Sequence, residues 1–442
     1  MHHDHADNGY KPGSITLGGA VAMGTGVMIG AGIFALTGQI AELAGPFFPL
    51  AFIAGAVITG FSAYSYIKMS NAWPSAGGIA MILQKCYGPG AIAAGAALLM
   101  ALSMVIAESL VARTFATYLL RPFDIAGGVL VSILAVAVIV FAFLINVAGN
   151  RSIGLFSMVM AVIKIGGIAL FGIAALWSSG VDFASASGTG EDFGLSGFAA
   201  SVALAILAFK GFTTITNSGA EITEPHRNVG RAITISIMIC VVIYLLVAYG
   251  VGASLSIDEI IAARDYSLAE AAEPALGEIG FLLTVVLAVV ATASAVLASV
   301  FAVSRMLAML TDMKMIPHSH FGMSGPIQRH TLVYTVVIAS ALAVFFDLSR
   351  IASLGAFFYL VMDMTVHWGV WRFRRREIGA VGFVVLGAFV FDGLVLVMFT
   401  VMKLRTDPLI VTYAAAAIVG VFVFERFYLS HWMGQVRDEA PQ

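Results

Sequence analysis

Gly26-Val27-Met28-Ile29-Gly30-Ala31-Gly32-Ile33-Phe34 lies inside an apolar stretch that runs from about residue 15 to 43. A glycine in a helix interior costs about 1 kcal/mol relative to alanine, and Gly24, Gly26, Gly30 and Gly32 fall close together here. The run predicts a helix that breaks in mid-span. A second break, Phe209-Lys210-Gly211-Phe212-Thr213, is followed by the polar residues Thr214, Thr216, Asn217 and Ser218. The two breaks open corresponding segments of two successive five-helix halves. Interrupted apolar segments at matched places in two halves point to a transporter's substrate site.

The rest of the chain agrees with a membrane setting. It has 442 residues, 60% hydrophobic and 11% charged, whereas soluble domains carry roughly 25% charged residues. Apolar blocks at 15–43, 46–68, 90–119, 125–146, 152–176, 196–222, 230–252, 277–308, 331–347, 350–371, 379–401 and 408–428 are long enough to cross a bilayer as helices. The fold class read from them is all-α, a polytopic membrane protein with twelve transmembrane helices. One transmembrane domain is expected over 15–428, with a first half about 15–176, a second about 196–371 and extra helices about 379–428. Residues 1–14 and 429–442 are read as tails, and 1–14 lacks the apolar core of a cleaved signal peptide.

Positive charges at the ends of short loops set the orientation. With the N-terminus inside, fifteen basic residues face the cytoplasm, among them Lys11, Lys68, Lys85, Arg151, Lys314, Arg372 and Arg437. Six face outward: Arg113, Arg121, Arg264, Arg350, Lys403 and Arg405. Both termini are therefore expected in the cytoplasm, and the protein in the cell membrane. Ser256 and Glu259 make a capping box with a Leu255–Ile260 staple, which predicts a non-spanning helix over Asp258 to Glu273 outside the membrane. The Gly/Ser-rich stretch Ser178 to Ser196 reads as an outer loop.

Other function classes find no support. The net charge of −2 and the absence of a basic block beyond Arg372 to Arg376 give no footing for nucleic acid. Cys86 and Cys240 form neither a disulfide framework nor a zinc spacing. His2, His3, Asp4 and His5 read as part of a tail rather than a metal site. There is no His-Glu-x-x-His, no Gly-x-Ser-x-Gly and no Gly-x-x-x-x-Gly-Lys-Ser/Thr loop. Neither an enzyme nor an ATP-driven pump is expected, and no metal or cofactor. A channel or a non-transporting nutrient sensor on the same fold stays open beside a carrier.

Unwinding at 29–32 would expose N–H groups at the start of one half-helix and carbonyls at the end of the other. The first attract a carboxylate and the second an ammonium, so a zwitterionic amino acid satisfies both. The alternative is close packing through the small pair Gly26 and Gly30. On this reading the substrate contacts are Met28, Ile29, Gly30, Ala31, Gly32 and Ile33 from the first break, and Phe209, Lys210, Gly211 and Phe212 from the second.

The segment Gly26 to Phe34 resembles the first-helix signature of the amino acid–polyamine–organocation (APC) superfamily, Gly-x-x-Ile-Gly-x-Gly-Ile-Phe. Phe209 to Ile233, with Ala220-Glu221-Ile222-Thr223-Glu224-Pro225 after the break, resembles its sixth helix and following loop. Trp73-Pro74-Ser75-Ala76-Gly77-Gly78 resembles its Tyr-Pro-x-x-Gly-Gly element. The resemblance implies the five-plus-five inverted repeat of the leucine-transporter type and amino acid transport by alternating access.

Three ionisable residues fall near span centres: Glu108, Lys164 and Lys210. At the bilayer centre such a group costs roughly 2.5–3.5 kcal/mol, so each should face water or a partner. Proton-coupled members of the resembled family carry a lysine at the place of Lys164, where sodium-coupled relatives hold their ion. An ammonium desolvated by burial can release and regain a proton within a cycle, so Lys164, with Glu108, is the expected proton-coupling element. Ser294 and Ser299 are sodium-ligand candidates by position, and an ammonium beside them would repel sodium. Lys210 departs from the family pattern. It either neutralises an acidic substrate or pairs with Glu108, and it argues against cationic substrates. Asp363 and His367 at i, i+4 read as a structural hydrogen bond. The substrate expected is a small neutral or acidic amino acid, with protons as coupling ion and the lipid bilayer as surroundings.

Overall fold

A computed structural model of the chain describes residues 12–125, 127–148, 153–178, 194–313 and 327–438. The tail residues 1–11 and 439–442, Arg151, Lys314 and residues 179–193 of the Gly/Ser-rich stretch lie outside these. The described residues are helical almost throughout, and they hold no strand beyond one bridge from Ile15 to Ile222. Ten helical segments are long and apolar enough to cross a membrane, with two shorter apolar helices at Leu17–Gly30 and His330–Phe345. Helices are what a bilayer demands, because no water is present to satisfy an open backbone.

Helix α1 (Leu17–Val27) starts where the Thr16 hydroxyl accepts from the Gly19 amide at 3.1 Å. After a turn of π-helix at Met28–Ile33, α2 (Phe34–Ala44) continues the same path. Then come α3 (Phe48–Ala72), α4 (Gly78–Tyr87), α5 (Ala91–Leu120), α6 (Val129–Ala148) and α7 (Ile153–Ser178). The second broken segment is α8 (Leu195–Phe209), a 3₁₀ turn at Lys210–Phe212, and the short α9 (Thr213–Asn217). It is followed by α10 (Pro225–Ser254), α11 (Ile257–Ala262), α12 (Ser267–Asp312), α13 (Ile327–Phe345), α14 (Leu348–Gly369), α15 (Gly382–Thr406) and α16 (Pro408–Asp438).

The capping box is present at α11, with the Ser256 amide donating to Glu259 Oε2 at 2.8 Å. The helix read over Asp258 to Glu273 is in fact two pieces. α11 ends at Ala262, and the segment from Ser267 runs into α12, broken only at Gly277, where φ is +71°. Only glycine adopts that backbone without strain. Helix α16 continues to Asp438, so the described part of the stretch read as a tail from 429 is helical.

The two broken segments sit at the centre. α1 packs on α7 and α10, α2 on α8, and α3 on α8 and α10, while α5 contacts α12 and α14. In α8 nearly every side chain from Ala199 onward is buried, whereas α16 lies at the edge and exposes Leu409, Tyr413, Val423 and Phe427. Large apolar side chains are widely exposed on the outer helices, for example Val129 at 76%, Ile279 at 72% and Phe383 at 77%. A water-soluble surface does not carry apolar area on that scale; lipid tails do.

Candidate functional site

The first break is gentler than free unwinding. Met28 to Ile33 forms a π turn, which keeps helical dihedrals while shifting the hydrogen-bond register. The expected fan of free N–H groups therefore does not appear. What the turn does instead is re-aim the carbonyls around it. Tyr244 Oη lies 2.6 Å from the Met28 carbonyl and 3.0 Å from that of Ala208, one hydroxyl shared between the two broken segments. Lys164 Nζ donates to the Gly26 carbonyl at 3.4 Å.

The second break takes a tighter 3₁₀ turn, and threonines satisfy its carbonyls. Thr213 Oγ1 donates to the Lys210 carbonyl at 2.9 Å and Thr214 Oγ1 to that of Gly211 at 2.7 Å. Thr213 and Thr214, the start of the polar run that seemed out of place in a mid-membrane helix, are thus the break's own hydrogen-bonding supply.

Glycine lets the two segments touch. A Cβ on Gly211 would meet the Met28 backbone nitrogen at 2.7 Å, and one on Gly32 would meet the Ala208 carbonyl oxygen at 2.6 Å and the Tyr244 hydroxyl. Gly30 faces elsewhere: its Cβ would meet Ala295 at 2.6 Å with Lys164 Nζ 3.8 Å away. A Cβ on Gly26 would meet nothing within 4 Å, so the pair Gly26 and Gly30 is not a helix-packing motif of the small-residue kind.

Between the breaks is a cavity of about 60 Å³. Of the residues read from the sequence as substrate contacts, Met28, Gly32, Lys210 and Gly211 line it. Ile29, Gly30, Ile33, Phe209 and Phe212 do not line it, and the side chain of Ala31 lies outside what the structure describes. Phe209 is fully buried against Tyr244, with ring centroids 4.9 Å apart, and Phe212 against Tyr66 at 5.4 Å. Further walls come from residues that sequence reasoning passed over, among them Met104, Ala107 and Leu110 of α5, Ala298 and Ala302 of α12, and Tyr359 of α14. These are ordinary apolar or small helix residues, and nothing in their local sequence separates them from packing positions.

The internal charges are arranged differently from the expectation. Lys210 does not pair with Glu108. Its ammonium forms a buried ion pair with Asp363 of α14 and donates to Ser62 Oγ at 3.2 Å. The reason is position: the 3₁₀ turn directs Lys210 toward α3 and α14, where Ser62 and Asp363 lie. Asp363 also accepts from the Tyr66 hydroxyl at 2.6 Å. His367 turns away from Asp363 to Asp392 of α15, with Nε2 3.2 Å from Asp392 Oδ2, so the expected Asp363–His367 hydrogen bond gives way to partners on other elements. Glu108 is fully buried, and its carboxyl oxygens have no hydrogen-bond partner among the described residues. Its neighbour Ala107 lines the cavity. Lys164 is 3% exposed, while Val162 and Ile163 beside it face outward. Ser294 donates within its own helix to the Ala291 carbonyl at 2.9 Å, and Ser299 is in the cavity wall. The sequence reading missed Asp392 because it stands alone in an apolar span, with no motif around it.

Two ends of this core are tied. Ile15 bonds across to the Glu221 carbonyl at 2.9 Å beside the second break, and at the other end Gln39 Nε2 donates to Asp265 Oδ1 at 2.6 Å.

The sequence pattern of the amino acid permease family matches residues 15–424, which is nearly all of the described core. The chain belongs to the amino acid permease family. It is thus a membrane-embedded APC-superfamily amino acid transporter and not an enzyme. Among similar proteins, the inner membrane transport protein YbaT of Escherichia coli K12 is 28% identical over 396 residues, 88% of this permease and 90% of that protein. The branched-chain amino acid permease BcaP of Lactococcus lactis is 28% identical over 376 residues, 78% of each chain. The serine/threonine exchanger SteT of Bacillus subtilis is 22% identical over 342 residues, 74% of this permease and 75% of that protein.

Proposed function

We propose that this permease carries small neutral amino acids by secondary active transport, binding them in the cavity between the two breaks. The observation that carries the reading is the state of Lys210. It is the one ionisable cation in the cavity wall among the described residues, and its ammonium is already held by Asp363 and Ser62. The acidic substrate considered from the sequence therefore loses its counter-charge. What remains is a small, largely apolar chamber with Ser299, Thr213, Thr214 and Tyr359 as polar points. The cavity is small, about 60 Å³, and offers no free anionic side chain to a cationic substrate among its walls. The names of BcaP and SteT, which specify branched-chain amino acids and serine or threonine, agree with a neutral substrate.

The finer architecture belongs to the same proposal. The ten long and two shorter apolar helices are read as twelve spans, with a five-plus-five inverted repeat, both termini in the cytoplasm and the cell membrane as location. The domain lies over 15–428, with halves about 15–176 and 196–371. Met28, Gly32, Lys210 and Gly211 contact the substrate, and Ile29, Gly30, Ile33, Phe209 and Phe212 hold the breaks in shape. Lys164 couples transport to protons: it is enclosed and touches the first break at Gly26, at the place where the resemblance implies that sodium-coupled relatives hold their ion. Glu108, an enclosed carboxyl without a partner beside the cavity wall, is the second proton-carrying group. Rocking of one helix bundle against the other gives alternating access.

Thermal-shift screening of the purified protein against the common amino acids and amines, followed by counterflow in proteoliposomes, tests this. Stabilisation by small neutral amino acids with saturable counterflow is expected. Stabilisation confined to cationic or acidic compounds overturns the substrate class, and binding without counterflow makes the protein a sensor. Proton-driven uptake that is unchanged in sodium-free buffer and lost in Lys164→Ala is expected for the coupling. Sodium-dependent uptake would overturn that assignment.

A further inference from the structure

Behind the cavity, on the far side of Lys210, three elements bring ionisable side chains into one enclosed cluster. Lys210 comes from the second break, Asp363 and His367 from α14, and Asp392 from α15, and all are between 0% and 2% exposed. α3 contributes the hydroxyls that connect them. Ser62 Oγ lies 3.2 Å from Lys210 Nζ, 3.2 Å from Asp363 Oδ2 and 3.1 Å from His367 Nε2. Ser65 Oγ is 3.0 Å from His367 Nδ1. The titratable groups facing the cluster from the surrounding elements are Tyr66 of α3, bonded to Asp363, and Tyr359 of α14. α15 packs on α3, α8 and α14, and α8 brings no ionisable residue.

The charges in this chamber do not balance. One lysine faces two aspartates, so with a neutral histidine the cluster carries one uncompensated negative charge where nothing can solvate it. Buried charges persist only when paired. Asp392 shows where the deficit lies. Its Oδ2 lies 3.2 Å from His367 Nε2, yet neither carboxyl oxygen makes a hydrogen bond to a described residue. The Lys210–Asp363 pair, by contrast, is fully partnered.

We infer that the His367–Asp392 pair is a proton-binding site, distinct from Lys164 and Glu108, that holds one exchangeable proton beside the second break. The proton resides either on Nε2, giving imidazolium and carboxylate, or on Asp392, giving carboxylic acid and neutral imidazole. Moving between the two breaks one N–H bond and forms one O–H bond, and no other bond changes. Ser62 touches both this pair and the Lys210–Asp363 pair. Loss of the proton therefore leaves a negative charge that competes with Asp363 for the Lys210 ammonium, and Lys210 is part of the cavity wall. The site's meaning for transport rests on the proposed carrier function; its existence does not.

The test uses purified full-length protein without substrate. Infrared difference spectra are recorded across a pH titration, following the protonated-carboxyl and histidine-ring bands in wild type, Asp392→Asn, His367→Gln and, as a control, Glu108→Gln. One proton equivalent present in wild type is expected to vanish from Asp392→Asn and to persist in Glu108→Gln. In His367→Gln the proton has only the carboxyl left, so a full carboxyl band without a histidine band is expected. Asp392→Asn balances the cluster charge and should fold; if it does not, His367→Gln alone decides. Titrations that are superimposable in wild type, Asp392→Asn and His367→Gln would overturn the site. Absence of uptake in liposomes would count against the carrier reading alone and leave this readout untouched.

Discussion

Replacing Gly32 by alanine adds a single methyl group at the point where the two broken segments meet. The new Cβ would sit 2.6 Å from the Ala208 carbonyl oxygen and against the Tyr244 hydroxyl. Neither neighbour is the loose end of a flexible chain. Ala208 is backbone in the last turn of α8, and Tyr244 is fully buried and held by two carbonyls. Inserting one methyl group into such a place costs about 1–3 kcal/mol in displaced structure. If the shift also parts the Tyr244 hydroxyl from either carbonyl, about 0.5–1.5 kcal/mol more is lost. The strain falls on the cavity, because Gly32 and Ala208 both line it. A loss of about 1.4 kcal/mol is a tenfold loss in binding, so substrate affinity should fall at least about tenfold. Gly26→Ala is the matched control, since its Cβ meets nothing within 4 Å. Binding is measured on detergent-purified protein by the ligand-induced thermal shift, and transport by counterflow. Gly32→Ala with the affinity and counterflow rate of Gly26→Ala would refute the reasoning and place the substrate away from the contact between the breaks.

Tyr244→Phe removes the hydroxyl shared by the Met28 and Ala208 carbonyls; two buried acceptors lose a donor, so a stability loss of about 1–3 kcal/mol is expected, read as a lower melting temperature with weakened ligand protection. Lys210→Met strands Asp363 as a buried charge and should cost about 3–5 kcal/mol, while Lys210→Met with Asp363→Leu should regain most of it; equal stability of single and double variants would show that the pair is not closed in the native protein. Asp407, between α15 and α16, has its carboxyl held below the usual aspartate value by its hydrogen bond to Arg350. A depressed carboxylate contributes stability above its unfolded pKa and loses it as pH falls through the folded value. The melting-temperature difference between wild type and Asp407→Asn should therefore be constant near neutral pH and shrink below about pH 4.

The apolar blocks and the two breaks were legible because bilayer physics writes them into composition: length, missing charge, and glycine where no helix needs it. The kind of break was not. A π turn at Met28–Ile33 and an open loop there would carry the same glycines, and only the partners decide between them. Those partners, Tyr244 and Lys164, come from helices far along the chain. The cavity's walls were equally hidden, because Ala107, Leu110 and Ala298 are the commonest residues of any membrane helix.

Lys210 shows most clearly how a correct local reading can miss its consequence. A lysine beside the sixth-helix glycine is unusual for the resembled family and expensive in the membrane, so a partner was certain. Among the residues near span centres Glu108 stood out, and Asp363 was assigned to His367 by the helical i, i+4 rule. That rule holds on an isolated helix surface, but α14 is buried on several sides, and its polar residues answer to α3, α15 and the second break instead. Once Asp363 takes Lys210, His367 is released to Asp392, Glu108 is left without a cation, and the substrate loses a positive charge to recognise. One displaced pairing therefore changes the expected substrate from acidic or neutral to neutral. It also moves the unbalanced charge from the cavity wall to the chamber behind it, where a proton and not an amino acid is the ion that fits.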